Sequence, residues 1–317
     1  MVLPTQDRAP TTVWPNGRRF AFTMFDDPDA QTTEVAREVY SMLRDLGFRT
    51  TKGVWAVRGP RQPSDGGGTC DETAYRDLCL DLQESGFEMG WHNATLHTST
   101  RDETLAALER FKSLFGEYPA VMANHYYCDE AIYWGEDRVS GWRRHLYELL
   151  TRYRYRGRSR GHLPDSPLFW GDACRERVRY VRNFTFPQIN TLSACPMMPY
   201  HDPARPYVQS WFASSDGTDA DRFLRLISER NQDKLLESGG ACIAYAHFGH
   251  GFVEHGRLRP TFVKLMERLA ALEGWYAPVT DTLDHVVAQY GVATLNDSSR
   301  AQLETRWLLG KMMYGSS

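Results

Sequence analysis

Two carboxylates stand side by side at Asp26-Asp27, and two histidines follow at His92 and His97, close to the end of a β-prone segment. Adjacent acids repel each other, and a bound cation relieves that repulsion. One carboxylate can then ligate while the other stays free as a base. Neutral imidazoles are good donors for zinc and related ions, and a pair on one turn-like segment can reach the same ion. A fifth residue, His247, closes the apolar run Cys242-Ile243-Ala244-Tyr245-Ala246. An imidazole titrates near neutrality, so at the mouth of a buried strand it can serve as general acid or base. His250 and His255 follow in a glycine-rich segment that reads as a loop lining a site. The plainer alternatives are a helix N-cap with a first-turn acid at Asp26-Asp27 and a core-edge histidine bonded to backbone at His247.

The elements that must position these residues alternate. Arg19–Phe25 reads as a strand and Thr32–Leu46 as a helix stopped by Gly47. Phe48–Val57 is the next strand, Gln62 to Gly68 a loop, and Glu72–Ser85 a helix. Then come strand Phe87–Trp91, helix Arg101–Phe115 and strand Tyr118–Ala123. Such repeats predict a parallel α/β sheet with crossover helices, either a barrel or a doubly wound sheet, with chemistry at the C-terminal strand ends. Asp26-Asp27, His92, and Asn124 with His125 all fall there. Residues 128–206 break the rhythm and read as a long insertion, with a helix at Ser140–Tyr153 and strand-like pieces at Arg177–Phe186. Its Trp134, Trp170 and Arg182-Asn183-Phe184 have the character of pocket material. Regularity returns with strand Tyr207–Phe212, helix Ala220–Leu236, strand Ala241–Ala246, helix Pro260–Leu272, the Trp275–Pro278 segment and helix Thr282–Tyr290. A helix containing Trp307 and Leu308 ends the chain.

Bulk properties narrow the function classes. The 317 residues suffice for one large domain. A net charge of −3 and a pI near 6.4 give no basic bias toward nucleic acid. No signal peptide is legible and no apolar run is long enough to span a bilayer, so the expected location is the cytoplasm. Six cysteines with no Cys-x-x-Cys spacing fit reduced thiols acting as small buried hydrophobes. The arginines 152, 154, 156, 158 and 160 are a solvated face or a contact to an anionic substrate group.

In this order the segments resemble the polysaccharide deacetylases, the NodB-homology group of carbohydrate esterase family 4. Ala21-Phe22-Thr23-Met24-Phe25-Asp26-Asp27-Pro28 looks like the family's opening strand with its Thr-Phe-Asp-Asp motif. Gly86-Phe87-Glu88-Met89-Gly90-Trp91-His92 is similar to the segment leading to the metal histidines, and Ile243-Ala244-Tyr245-Ala246-His247 to the late Leu-x-His motif. The resemblance spans roughly 18–125 and 207–290. It implies a distorted (β/α) barrel, one catalytic domain over 1–295 with the insertion at about 128–206, and a helical extension over 296–317.

It also implies Asp26 as base, Asp27 with His92 and His97 as ligands of a divalent metal, and His247 as acid. Zinc is the foremost ion, and cobalt, nickel and iron suit the same donors. Two departures stand out. The histidines are five apart rather than four, and the family's Arg-Pro-Pro-Tyr motif becomes Ala123-Asn124-His125-Tyr126. His125 is thereby a rival to His97 for the metal. Asn124, Tyr126, Trp134, Trp170 and His250 complete the candidate site. The implied reaction is N-deacetylation of an intracellular acetamido sugar, glycoside or carrier-linked precursor. A linear or cyclic non-sugar amide is the alternative, and an inactive glycan- or metabolite-binding protein the second. The expected partner is a small molecule or glycan, and the C-terminal helix offers a face for a homo-oligomer.

Overall fold

A computed structural model of the protein describes residues 12–60 and 66–315. Positions 61–65, which hold most of the loop expected from Gln62, lie outside the described residues. Seven parallel strands close into a barrel: β1 (Phe20–Asp26), β2 (Thr51–Val54), β3 (Glu88–Trp91), β4 (Val121–Met122), β5 (Tyr180–Phe186), β6 (Ser210–Gly217) and β7 (Ala241–Ala246). The ring shuts where β7 pairs with β1 over six positions, from Ala21↔Ala241 to Asp26↔Ala246. Helices surround it, so the strands are covered on both sides and read as continuous apolar runs.

The barrel is distorted at one flank of β1. There β2 reaches only Phe25 and Asp26, and the short strand Gly274–Trp275 pairs with Phe20 and Ala21 instead. Strands β2 and β3 also approach β1 through small residues. A Cβ on Gly90 would stand 2.8 Å from the Phe25 ring, and one on Gly53 2.9 Å from the Asp26 carbonyl. Glycine is required at both by space rather than by backbone angle.

The crossover helices start and stop where their caps dictate. Thr32 accepts a hydrogen bond from Val35 N ahead of α1 (Thr33–Asp45). Thr100 and Glu103 form a capping box on α3 (Arg101–Phe115), which ends on left-handed Gly116. Between them lies α2 (Thr73–Glu84). One expected helix, Ala220–Leu236, is two: Ala220–Leu226 and Glu229–Ser238. The side-chain amides of Asn231 and Gln232 donate to the Leu226 and Ile227 carbonyls, so the first helix ends in side-chain caps instead of a further turn.

The 128–206 stretch is not purely an addition to the barrel, because β5 lies within it. The C-terminal helix Asp297–Tyr314 packs on this stretch. Trp307 stacks on Tyr147 at 5.6 Å and packs at a tilt against Phe184 at 4.9 Å. Buried Glu304 accepts from Ser140 N, Arg143 and Arg205. Leu303, Trp307 and Leu308 are thus covered by the chain itself, while Leu309, Met312, Met313 and Tyr314 are exposed. All six cysteines are free and buried. Among the described residues, no helix is long and apolar enough to cross a membrane.

Candidate active site at the C-terminal mouth of the barrel

Side chains alternate sides along an extended chain, so neighbours in sequence cannot share a face. This separates Asp26 from Asp27. The Asp26 carboxylate is fully buried and turned toward α1. It accepts from Gln31 Nε2 (2.8 Å), Tyr40 Oη (2.9 Å) and Phe248 N (2.9 Å), and Lys52 Nζ lies 3.8 Å away. Burial pushes its carboxyl up, against the pull of Lys52 and these donors. It lines no part of the central cavity. The expectation that Asp26 faces a substrate therefore conflicts with where the strand points it.

Asp27 and Asp29, two residues apart, do share the cavity side. The Asp27 backbone N–H still donates to Ala246 O at 2.8 Å, which carries the β7 ladder one step past β1. Its carboxylate receives both Arg182 Nη atoms, at 3.0 and 2.5 Å, a bidentate pair that fixes its plane. Arg182 comes from β5 and lies 3.8 Å above the Tyr245 ring. The altered third motif, Ala123-Asn124-His125-Tyr126, itself holds no arginine.

Asp29 meets the histidines. Its Oδ1 is 3.0 Å from His125 Nδ1, and its Oδ2 is 3.2 Å from His92 Nε2. His92 Nε2 and His125 Nδ1 are themselves 3.2 Å apart. Tetrahedral ligands at about 2.0–2.1 Å from a zinc ion stand about 3.3 Å from each other. The three donors are buried and converge with that spacing, so the residues present fit a divalent cation. Asp27, Asp29 and His247 form a second converging group, but Asp27 is already committed to Arg182. Although burial opposes its charge, the three histidines hold the Asp29 carboxyl well below the usual carboxylate range. Trp55 walls the site, with its ring 5.6 and 5.5 Å from those of His92 and His125.

His247 completes the ring of groups from the end of β7. Its Nδ1 is 2.7 Å from Thr218 O, which leaves Nε2 facing Asp29 Oδ2 at 3.4 Å and Asp27 Oδ2 at 3.7 Å. Burial alone would lower its pKa, but Asp29, Asp27 and the Thr218 carbonyl raise it to about 9.

His97 is not brought to this group. It packs against Gly59, with Nδ1 3.2 Å from both Thr95 Oγ1 and Thr98 O. The one extra residue between the two histidines turns it away, and His125 from the end of β4 occupies the third donor position. Asn124, Tyr126 and Trp134 do line the cavity. Trp170 does not: it is buried, and its Nε1–H donates to Glu130 O at 2.6 Å. His250 is exposed, its ring 5.1 Å from that of His247. In the arginine-rich stretch, Arg158 and Arg160 pair with Asp129, and Arg156 reaches Glu148.

A buried chain of groups holds His125. Its backbone N–H donates to Asn93 Oδ1 at 2.6 Å, and Asn93 Nδ2 donates to Glu130 Oε1 at 3.1 Å. Asn93 adopts a left-handed φ of 60°, which asparagine tolerates better than most residues. Burial pushes the Glu130 carboxyl up to about 7. The folded protein therefore keeps a proton there that the unfolded chain loses near pH 4.5. Stability contributed by this group is full below about pH 4.5 and falls as pH rises toward 7. Glu130→Gln should flatten that decline by at most about 3 kcal/mol. Urea unfolding at pH 5 and pH 7.5 measures it, and an unchanged slope would refute the linkage.

A closed seven-stranded parallel barrel of this kind, surrounded by helices, has the NodB-type fold of the polysaccharide deacetylases. No family model and no curated protein matches the sequence. Among solved structures, the chain is similar to a Mycobacterium smegmatis protein provisionally described as a polysaccharide deacetylase, with 14% identity, coverage of 91% of this chain and 96% of that one, and a TM-score of 0.50. It is similar also to Puue allantoinase, with 11% identity, coverage of 90% and 96%, and a TM-score of 0.51. At these identities the likeness is one of fold.

Proposed function

We propose that this chain is a metal-dependent hydrolase of amide C–N bonds, acting as an N-deacetylase on an acetamido sugar or a related acetamido compound. The observation that carries this reading is the convergence of Asp29, His92 and His125 beside a clamped carboxylate, Asp27, and an imidazole, His247, whose Nε2 faces both acids. A divalent cation held by Asp29, His92 and His125 would polarise the scissile carbonyl and acidify a water. Asp27, rather than Asp26, takes the proton of the attacking water, and Arg182 keeps its carboxylate aimed. As the water oxygen bonds to the acyl carbon, the C–N bond breaks. His247 Nε2–H protonates the leaving nitrogen, while the Thr218 carbonyl holds the Nδ1–H tautomer. The products are a carboxylate and an amine.

A second reading, hydrolysis of a non-sugar amide, has its own support. The cavity is small, about 60 Å³, which favours a compact amide. A solved structure of the same fold is described as an allantoinase.

The test is metal analysis of the purified protein, followed by amine release from acetamido sugars and from cyclic and linear amides after loading with zinc, cobalt, nickel or iron. Turnover of the non-sugar amides alone would move the assignment to the second reading. A protein that binds no divalent metal and turns over nothing would be an inactive binder. His247→Asn should lower kcat by about 10²–10⁴-fold with metal content unchanged. Full activity in that variant would remove His247 from the reaction.

A further inference from the structure

Three arginines are buried among the described residues: Arg138, Arg182 and Arg205. Two of them have carboxylate partners. Arg182 holds Asp27, and Arg205 holds Asp202 and Glu304. Arg138 has none within 4 Å among the described residues, although it is only 5% exposed. Its polar contacts are long and neutral: Nε to Gly135 O at 3.5 Å, Nη1 to Asn183 O at 3.4 Å and Nη2 to Tyr147 Oη at 3.3 Å. Rings surround the guanidinium, with Trp307 at 4.5 Å, Trp134 at 5.2 Å and Tyr147 at 5.8 Å. Aromatic faces attract a cation but do not replace the hydration it has lost, and an uncompensated buried charge is strongly unfavourable.

Arg138 lines the same cavity as Asp27 and the histidines. Asn183 lines it too, because the register shift in β5 between Arg182 and Thr185 breaks the alternation there and lets neighbours face one side. Asn183 Nδ2 donates to Tyr200 Oη at 3.0 Å, whereas its buried Oδ1 has no partner. One wall of the cavity thus presents a fork of N–H donors carrying a positive charge and, beside it, an unused acceptor. A guanidinium matches carboxylate and phosphate oxygens through paired N–H bonds.

We infer that the substrate carries an oxyanion, a carboxylate or phosphate monoester, which pairs with Arg138, next to an N–H or O–H group that donates to Asn183 Oδ1. The reaction at the other wall rests on the hydrolase reading above, but the anion subsite does not. It replaces the arginines of 152–160 as the place where a negative substrate group would be read.

Matched pairs test this by calorimetric binding to the full chain. One pair is N-acetylglycine against N-acetylglycinamide, and a second is N-acetylglucosamine 6-phosphate against N-acetylglucosamine. N-Acetylmuramic acid adds a carboxylate arm on a sugar. Binding is measured on chelator-stripped protein, so that an anion cannot score by ligating a metal, and amine release is followed separately on zinc-loaded protein. The expected result is a preference of at least ten-fold for the anionic member of one pair, abolished in Arg138→Met and partly kept in Arg138→Lys. The pair that shows it identifies carboxylate or phosphate as the source. Equal binding within every pair, absent binding included, overturns the inference, as does a preference that survives in Arg138→Met. Should Arg138→Met not fold, the wild-type pairs and Arg138→Lys decide. Anion preference without amine release from any compound would sink the hydrolase reading alone. Amine release without anion preference would sink this one alone.

Discussion

On the proposed reading, Asp29→Ala abolishes divalent-metal binding and lowers kcat/KM about a thousand-fold, while Asp26→Asn leaves metal binding intact. Asp29 is the only residue in both converging donor groups. Its two oxygens face His125 and His92 at 3.0 and 3.2 Å. Without it, two imidazoles remain, and the several kcal/mol that a Lewis acid supplies at a developing oxyanion are lost with the ion. Asp26 touches neither histidine. Its oxygens serve Gln31, Tyr40 and Phe248 N, so its loss should appear as lowered stability. Metal stoichiometry by mass spectrometry, beside circular dichroism of each variant, reads the difference. An Asp29→Ala protein that keeps one metal per chain would end the proposed ligand set, and so would an Asp26→Asn protein that folds without metal.

The second large effect is on stability. Arg182→Met should destabilise the protein by about 3–5 kcal/mol, because it strands the Asp27 carboxylate in the barrel without its partner. The double variant Asp27→Asn with Arg182→Met should recover more than half of that loss, since no uncompensated charge then remains. Both should be inactive in amide release, one through a misplaced base and the other through none. Denaturant unfolding of the four proteins forms the cycle. Additive losses would mean that the pair contributes little as a pair, and that Arg182 acts through its packing on Tyr245.

Much of the barrel is legible in the sequence. Its helices stop at glycines and its strands are apolar, so Arg101–Phe115 and Ala241–Ala246 fall where periodicity places them. The coarse site is legible too, because chemistry in such folds gathers at the ends of strands. What fails is finer. Asp26-Asp27 invites a reading as two partners in one site, yet alternation along a strand sends them to opposite sides. The same rule, carried two residues on, would have picked Asp29 from the Asp27-Pro28-Asp29 spacing. His97 is misleading because histidine spacing on an irregular turn carries no fixed geometry, whereas His125 sits directly after a strand. Arg182 lies inside a stretch that breaks the repeat, so nothing local marks it as the partner of a residue 155 positions earlier. Arg138 is harder still, since a buried arginine and an exposed one look alike until the rings around it are placed.

The seam between β1 and β7 has a consequence for the protein's synthesis. Ala21 is made early, and its partner Ala241 emerges from the ribosome only after most of the chain. At about 5–20 residues per second, the wait is roughly 10–40 s. Throughout it, an edge apolar at every position but Thr23, Phe20-Ala21-Phe22-Thr23-Met24-Phe25, has no strand to complete it on that side. The pairing that covers this edge is also the one that brings His247 to Asp27 and Asp29. The barrel cannot close without assembling its candidate catalytic centre in the same event, so a chain stopped before Ala241 lacks both the seam and His247.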